Sequence, residues 1–179
     1  MKVIKTDLPE VLVLEPKVFG DDRGFFLETY HRQRYRDAGV DVDFVQDNHS
    51  KSAQGVLRGM HWQVARPQAK LVWCIRGKIY DVAVDVRPAS PNFGKWTGVE
   101  LDSENKRQIY VPAGFAHGFC ALSEGVEIIY KCSDLYDPSD EGGVIWNDPA
   151  IGIRWPISEP SLSKKDAVLP PLAAAKLPR

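Results

Sequence analysis

Glycine and proline interrupt this chain at short intervals along its whole length. The 14 glycines and 13 prolines among 179 residues are spread rather than pooled, so no linker, low-complexity tract or internal repeat stands out. Between these breaks lie short runs rich in β-branched and aromatic residues, which favour strands. The runs are Val11–Leu14, Phe25–Tyr30, Ala69–Ile75, Lys78–Val86, Trp96–Leu101, Arg107–Val111, Gly118–Leu122 and Val126–Lys131. Their short connections predict that most neighbouring strands form hairpins.

The run from Tyr80 to Val86 has the clearest strand periodicity. Every second residue from Tyr80 is aromatic or valine, and two aspartates flank an alanine on the other face, so one of the two faces is expected to line a core. Helical periodicity is weak, with one short helix predicted over His31–Ala38 and a short turn over Ser161–Asp166. Such an all-β chain predicts a sandwich or barrel. We select a cupin-like jelly roll with short peripheral helices, which leaves a central cavity.

Composition limits the size and the partners of the protein. A chain of this length with 44% hydrophobic and 26% charged residues can bury a core unaided, and predicts one domain over residues 1–179. Its 23 basic and 24 acidic residues give a net charge of −1, too balanced to attract nucleic acid or anionic membranes. We therefore predict no nucleic-acid partner and no membrane association. Any anionic ligand must meet a local basic cluster.

Neither a membrane span nor an export signal is expected. The longest apolar runs, such as Leu71–Ile75, fall far short of the roughly 18 residues that a spanning helix needs. Val11–Leu14 is too short for the apolar part of a secretory signal and follows acidic residues. The cysteines, Cys74, Cys120 and Cys132, are odd in number and lack a CxxC spacing. They predict reduced, buried thiols and a cytoplasmic location.

The four histidines lie in two kinds of surroundings. His31 belongs to a charged run and is expected on a solvated helix face, and His49 belongs to a polar stretch expected to be a surface loop. His61 stands three residues after Arg58 in a strand-like segment, and His117 follows a Pro-Ala-Gly turn. Either of these last two fits a hydrogen-bonded interior position in a β-barrel as well as a functional site.

A metal site is the first function that such a histidine pair suggests. Metal-binding cupins carry an HxH pair with a following glutamate, and then a PxGxxH sequence, and this chain is similar to them only in the second part. Gln63 stands where the second histidine would be, and no glutamate follows before Ala69. Two histidines without a carboxylate fall short of the three protein ligands of a catalytic metal, so we predict a metal-free cavity.

Three further polar residues border apolar strands. Lys70 begins the run that continues to Ile75, and the even spacing of Tyr130 and Tyr136 predicts one strand face for both. Taken alone, Lys70 also fits a strand-end side chain that reaches solvent, and the tyrosines fit an aromatic rim.

Arg58 and His61 have opposite parity, so in a flat strand their side chains would point to opposite faces. Either they serve different surfaces or the strand is bent. Gly59 lies between them and suits a bulge, which predicts a local irregularity there.

Over nearly its whole length the sequence resembles the dTDP-4-dehydrorhamnose 3,5-epimerase family. The segments that carry the resemblance are Gly20–Glu28, Gln46–Ser50, Leu57–Gln63, Gln68–Val72, Val111–Phe119, Tyr130–Tyr136 and Leu162–Asp166. Three positions depart from the family pattern: Met60 replaces a leucine, Trp62 a tyrosine and Lys164 a common acidic residue. None of the three is a catalytic position of the family.

The resemblance implies proton transfer on a dTDP-sugar without a cofactor. The family converts dTDP-4-dehydro-6-deoxy-D-glucose to dTDP-4-dehydro-L-rhamnose, and the C4 ketone acidifies the hydrogens on both C3 and C5. By resemblance His61 is the general base, Asp166 supports its imidazole, and Tyr130 is the acid on the opposite face. Lys70, with Arg58 nearby, is the candidate cation for the enolate oxygen.

The resemblance also implies the substrate-binding residues. Arg23, Arg58, His117 and Lys165 would surround the diphosphate. Polar edges of the base and sugar would meet Glu28, Gln46 and Asn48, with Phe26 beside them, Glu141 adding a polar contact and Tyr136 stacking on thymine. Family members pair as homodimers, and the strand Arg23–Glu28 would be an arm that reaches the partner's site.

Three other functions remain open from the sequence. A related dTDP-sugar cupin could act as an epimerase at C3 or C5 only, or as a 3,4-ketoisomerase. A non-catalytic sugar-nucleotide-binding cupin should lack an acid such as Tyr130 and a pair such as His61 and Asp166. A metal-dependent cupin oxygenase would contain a bound metal.

Overall fold

The computed structural model describes residues 1–179, and strands dominate it. The strands are β1 (Lys2–Lys5), β2 (Leu12–Glu15), β3 (Val18–Asp21), β4 (Gly24–Leu27), β5 (Gln46–Ser52), β6 (Leu57–Gln63), β7 (Lys70–Arg76), β8 (Lys78–Asp85), β9 (Trp96–Asp102), β10 (Gln108–Val111), β11 (Phe115–Ala121), β12 (Val126–Cys132) and β13 (Glu141–Gly143). One α-helix, α1 (Arg32–Asp37), and 3₁₀ turns at Pro138–Asp140, Asp166–Val168 and Leu172–Ala174 complete the elements. None of the helices is long and apolar enough to cross a membrane.

Two antiparallel sheets form the body of the molecule. The first has the order β1-β2-β10-β7-β12-β5 and the second the order β13-β6-β11-β8-β9, while β3 and β4 form a separate hairpin. Strands that follow one another in the chain mostly lie in different sheets, as β7 and β8 do. This double-sheet topology is the predicted cupin-like jelly roll.

The expectation that most connections are hairpins was wrong. Only β1–β2, β3–β4 and β8–β9 pair with the next strand along the chain, and the other connections cross between the sheets. Gly77 makes one of these crossings with φ of 76°, and a Cβ there would lie 2.5 Å from Ser123 Oγ. Turn residues therefore marked where strands end, but they carry no information about which strand is the partner.

A core shared by the two sheets closes one part of the space between them. Val72 of β7 and Ile128 of β12 pack there with Ala83 of β8 and Phe119 of β11. The opposite face of β8, which carries Val82 and Val84, is buried as well. Both faces of the alternating run are thus covered, whereas the sequence required only one.

The segment that follows β13 covers the outer face of the five-stranded sheet. Val144, Ile151 and Leu172 pack there against the valines of β8. Asp148, which is buried, fixes the segment by accepting hydrogen bonds from the backbone N–H groups of Leu172 and Ala150, each at 2.7 Å. This wrapping returns the chain to β6 after more than one hundred residues.

Strand β5 is a correction to the predicted loop around His49. The strand pairs with β12 along its whole length, and His49 Nε2 lies 3.1 Å from Glu127 Oε2 on the exposed side. Gln46, Asn48 and Ser50 point the other way, into the cavity described below. Because the inward side chains face a polar cavity instead of an apolar core, hydrophobic alternation gives no signal for this strand.

Smaller differences concern the segment before α1 and the helix itself. The predicted strand Phe25–Tyr30 ends at Leu27. The helix predicted over His31–Ala38 spans Arg32–Asp37, and His31 is its N-cap, with Nδ1 accepting a hydrogen bond from the backbone of Arg34 at 3.4 Å. His31 is exposed to solvent as expected, but it caps the helix instead of lying within it.

Candidate active site

A cavity of about 580 Å³ opens between the two sheets beyond their shared core. Its walls combine strands of both sheets with the segments around Tyr136 and Asp166. The lining residues are Gln46, Asn48, Ser50, Arg58, His61, Gln68, Lys70, His117, Gly118, Phe119, Ile128, Tyr130, Cys132, Tyr136, Glu141, Ser163, Lys165 and Asp166. All the predicted site residues except Arg23, Phe26 and Glu28 lie in this one cavity.

His61 and Asp166 form a close pair in the cavity wall. His61 Nε2 lies 2.6 Å from Asp166 Oδ1, and the 3₁₀ turn that carries Asp166 packs against β6. Burial opposes ionisation of Asp166, but the hydrogen bond and charge of His61, with help from Ser163, outweigh it and hold the pKa of this carboxyl below its usual value. With Nε2 engaged, Nδ1 is the ring nitrogen left for a ligand, and the closest carboxylate, Glu141 Oε1, is 4.0 Å from it.

A bulge in β6 places Arg58 and His61 in the same cavity. His117 of β11 lies opposite His61 and Phe119 opposite Arg58, so the register shifts between these two pairs. Gly59 has φ of 124°, and a Cβ there would lie 2.6 Å from Gly118 Cα. The predicted irregularity is confirmed, and a side chain at position 59 would clash with the neighbouring strand.

Lys70 begins β7 and projects into the cavity without a hydrogen-bond partner from the protein. Burial lowers the pKa of its ammonium, while Cys132, Asp81 and Glu141 act in the opposite direction. Lys70 is partly buried, and a desolvated cation without a paired carboxylate is costly unless a ligand neutralises it. Lys70 is therefore a site for a negatively charged or strongly polarised oxygen.

Tyr130 enters the cavity from β12, in the sheet opposite to His61. Burial and the neighbouring Cys132 raise the pKa of its phenol, and Arg58 only partly offsets them. The phenol therefore keeps its proton at neutral pH.

Tyr136 also lines the cavity, but the prediction that it shares a strand face with Tyr130 was wrong. β12 ends at Cys132, and Tyr136 lies in the irregular segment that follows. Its hydroxyl is 3.4 Å from Glu141 Oε2, and almost half of the residue is exposed at the cavity mouth. An even spacing means a common face only while the strand continues.

A second histidine–carboxylate pair stands beside the first. His117 Nε2 lies 2.9 and 3.0 Å from the two carboxylate oxygens of Asp81, and both residues are buried. Sequence reasoning did not select Asp81, although an aspartate within the apolar alternation of β8 was a usable signal. The pair fixes one nitrogen of His117 and leaves Nδ1 for a ligand.

Glu141 and Lys165 pair across the mouth of the cavity. Lys165 Nζ donates to both carboxylate oxygens of Glu141, at 2.9 and 2.8 Å. Burial opposes the charge of Lys165, but Glu141 outweighs it and raises the pKa of the ammonium. Gln46 and Asn48 face them from β5, with Gln46 Nε2 donating to Asn48 Oδ1 at 3.0 Å.

Arg23, Phe26 and Glu28 lie outside the cavity of their own chain. Arg23 Nη2 pairs with Asp21 Oδ2 at 2.5 Å on the β3–β4 hairpin, and Phe26 is 70% exposed there. Glu28 accepts from Arg34 Nη1 at 2.9 Å.

Several lining residues were not selected from the sequence, although all of them except Ile128 lie in the segments that carry the family resemblance. Ser50, Gln68, Phe119, Ile128, Cys132 and Ser163 are small, amide or apolar residues of kinds that occur throughout the chain. At the position where metal-binding cupins have a histidine, the amide of Gln63 bonds the backbone of Asp137. No group of three or more His, Cys, Asp or Glu side chains is arranged to hold a metal ion.

The cavity of this cupin-like jelly roll presents a histidine–aspartate pair, a lysine and a phenol. These groups are suited to proton transfer and define the class of protein as an isomerase-type cupin. The chain belongs to the dTDP-4-dehydrorhamnose 3,5-epimerase family, whose model matches residues 5–174. It is similar to the dTDP-4-dehydrorhamnose 3,5-epimerase of Salmonella typhimurium, with 57% identity over 99% of this chain and 98% of the relative.

Two solved structures extend the comparison. The dTDP-6-deoxy-D-glucose-3,5-epimerase of Legionella pneumophila in complex with dTDP-4-keto-L-rhamnose matches with a TM-score of 0.96 and 46% identity, over 99% of this chain and 97% of that chain. A 3'-monoepimerase from Streptomyces bikiniensis in complex with dTDP-quinovose matches with a TM-score of 0.88 and 36% identity, over 94% and 87% of the two chains. The fold is therefore common to enzymes that differ in the number of centres inverted.

Proposed function

We propose that this chain converts dTDP-4-dehydro-6-deoxy-D-glucose to dTDP-4-dehydro-L-rhamnose by inverting C3 and C5 without a cofactor. One observation carries the proposal: His61, paired with Asp166, and Tyr130 enter one cavity from opposite sheets, with Lys70 between the same walls. Epimerisation needs a base on one face of a carbon and an acid on the other. The high identity to named 3,5-epimerases supports inversion at two centres.

His61 is the proposed base. Asp166 accepts a hydrogen bond from Nε2–H, so Nδ1 carries the lone pair that removes the hydrogen from C3 or C5. The ionised Asp166 then stabilises the imidazolium that forms, as a carboxylate partner does for other catalytic histidines. Both hydrogens are α to the C4 ketone, so one base serves both centres.

Lys70 is the proposed stabiliser of the enolate. Loss of either proton places negative charge on the C4 oxygen, and a partly buried ammonium without a protein hydrogen bond meets that charge without first breaking another contact. Arg58 lines the same cavity and adds positive charge nearby.

Tyr130 is the proposed acid. It supplies a proton to the face opposite His61, and its raised pKa keeps it protonated until the enolate forms. The resulting configuration is inverted because the proton arrives from the other sheet.

The nucleotide is proposed to lie along the rest of the cavity. Arg58, His117 and Lys165 would surround the diphosphate, and Lys165 would exchange its contact with Glu141 for a phosphate oxygen. Tyr136 would stack on the thymine. Gln46, Asn48 and Glu141 would border the base and sugar.

We also propose a cytoplasmic homodimer. Phe19, Phe25 and Phe26 are more than half exposed on the β3–β4 hairpin, an arrangement that a second copy of the chain would cover. Such an arm would carry Arg23, Phe26 and Glu28 into the partner's cavity. The three free, buried cysteines agree with a reducing compartment.

Incubation with dTDP-4-dehydro-6-deoxy-D-glucose in deuterated water, with EDTA present, tests the function. Proton NMR should show deuterium at both C3 and C5 and the L-rhamno configuration, because each inversion takes its new proton from solvent. The His61→Ala protein is the control for exchange without the enzyme. Label at one carbon only would indicate a monoepimerase, and loss of turnover in EDTA that one divalent ion restores would contradict the cofactor-free reaction.

A further inference from the structure

Residues 133–137 carry Tyr136 to the cavity mouth without belonging to a helix or strand. Leu135 and Tyr136 are exposed, so side-chain packing alone does not fix this segment. Backbone N–H and C=O groups that leave a sheet need other partners. In this segment three glutamine side chains supply four of these partners, while the N–H of Ser133 bonds the C=O of Ala69 and the C=O of Asp137 also accepts from the N–H of Asp140.

Gln63 makes the most complete of these contacts. Its Oε1 accepts from the backbone N–H of Asp137 at 2.8 Å, and its Nε2 donates to the backbone C=O of the same residue at 3.0 Å. Gln63 is 3% exposed, so both bonds are shielded from water. A primary amide can donate and accept in this way, whereas a carboxylate only accepts and an apolar side chain does neither.

Gln46, at the start of β5, and Gln68, just before β7, bond the same segment. Gln46 Oε1 accepts from the backbone N–H of Tyr136 at 2.9 Å. Gln68, which is buried and precedes β7, donates Nε2 to the backbone C=O of Asp134 at 2.7 Å. Three separate parts of the fold thus converge on five residues.

We propose that Gln63, Gln46 and Gln68 form a glutamine clamp that positions Tyr136 for the nucleotide base. This inference rests on the proposed function, since it concerns the binding of a dTDP-sugar. The clamp fixes the backbone around Tyr136 before the ligand arrives, so binding does not have to order the segment. Gln63 is thereby a positioning residue that acts through Tyr136, at the position where metal-binding cupins have a ligand.

The clamp should affect one end of the ligand only. Tyr136 would meet the thymine, whereas the diphosphate would meet Arg58, His117 and Lys165. Gln63→Leu should therefore weaken binding of dTDP and raise KM for the dTDP-sugar by about ten-fold, within the range of base–aromatic stacking. Binding of inorganic pyrophosphate and kcat should stay at the wild-type values.

A double-mutant cycle with Tyr136 separates this role from a general structural one. Titration calorimetry with dTDP, and separately with pyrophosphate, is performed on the wild type, Gln63→Leu, Tyr136→Ala and the double variant. If Gln63 acts through Tyr136, the double variant should bind dTDP as Tyr136→Ala alone does, because the two losses are not additive. Additive losses, or a parallel loss of pyrophosphate binding, would overturn the inference.

Two further variants complete the experiment. Gln54→Leu removes another glutamine-to-backbone hydrogen bond, from Gln54 Nε2 to the C=O of Leu122 outside the cavity, and should bind dTDP as the wild type does. If Gln63→Leu does not fold, Gln63→Glu keeps the size and replaces the donor with a carboxylate oxygen that repels the C=O of Asp137, and the same cycle applies. Turnover of the dTDP-sugar by the wild type is measured first, and its absence would reject the proposed function. Unchanged dTDP affinity in the Gln63 variants would reject the clamp.

Discussion

His61 and His117 show how a neighbouring carboxylate gives two similar side chains defined ring nitrogens. Each imidazole has Nε2 bound to an aspartate and Nδ1 without a protein hydrogen bond. The surroundings of the two free nitrogens differ, because His61 faces Glu141 at the mouth and His117 is more deeply buried. This difference in position underlies the separate roles proposed for them, proton removal and phosphate binding.

Replacing Tyr130 separates hydrogen exchange from inversion. In Tyr130→Phe, His61 can still remove a proton and return one from solvent to the same face, so deuterium should enter unreacted sugar while inverted product falls by roughly 10²–10⁴-fold. Proton NMR in deuterated water measures both quantities on one sample. Inversion at the wild-type rate would mean that Tyr130 only packs in the wall, because phenylalanine conserves nearly all of its volume.

Replacing His61 should strongly reduce both solvent exchange and inversion. His61→Ala removes the base, and exchange and epimerisation should each fall by at least roughly 10²-fold. Asp166→Asn should cost less, because the imidazole remains but loses the carboxylate that orients it. Initial rates of solvent exchange compare the two variants, and exchange at the wild-type rate in His61→Ala would assign the base to another residue.

The lowered pKa of Lys70 predicts an alkaline limit to exchange. An ammonium with a lowered pKa is charged at low pH and loses its charge as pH rises through a value below the ordinary 10.5. Exchange should therefore decline in that alkaline range, because the enolate loses its cation. The decline should persist in Tyr130→Phe, whose exchange does not use the phenol, and its disappearance in that variant would assign the limit to Tyr130.

The sequence predicts strands that have an apolar inner face, but it does not predict β5. The strands with apolar inner faces, such as β7 and β8, were found close to their observed bounds. β5 was missed because its inner residues serve the cavity, and alternation of polar with polar residues has no hydrophobic period. The meeting of His61 with Asp166 came from family resemblance, since no local pattern joins residues so far apart. Asp81 and the glutamine contacts depend on strand partners, which turn residues do not specify.

The bulge in β6 depends on glycine at position 59. Gly59→Ala introduces a Cβ 2.6 Å from Gly118 Cα as well as an unfavourable φ, and should destabilise the protein by about 2–4 kcal/mol and reduce turnover. Gly94→Ala is the matched control, because it has φ of 77° but a nearest atom at 3.8 Å. Urea unfolding of both variants measures the difference, and equal losses would show that the close approach to β11 is harmless.

At the scale of the whole molecule, the β3–β4 hairpin and the residue that follows it carry the three predicted site residues that lie outside the cavity of their own chain. Arg23, Phe26 and Glu28 all belong to the hairpin or directly follow it. The remaining predicted residues already share one cavity. A shared active site would reconcile the two observations.

Mixed dimers test this arrangement directly. Arg23→Ala and His61→Ala homodimers should each be nearly inactive, the first in substrate binding and the second in proton removal. Co-expression should restore turnover, because in the mixed dimer one cavity combines an intact His61 with Arg23 from the other chain. Sedimentation should show dimers throughout. Absence of restored turnover in dimers of mixed composition would place Arg23 outside the partner's site.

The long return of the chain from β6 to the Asp166 turn has a consequence for synthesis on the ribosome. His61 leaves the ribosome 105 residues before the carboxylate that orients it, and most strands of both sheets emerge in between. A nascent chain can therefore assemble most of its cavity while its base still lacks its partner. Turnover would reach its full rate only when the final wrapping segment docks and brings Asp166 to His61 and Lys165 to the cavity mouth.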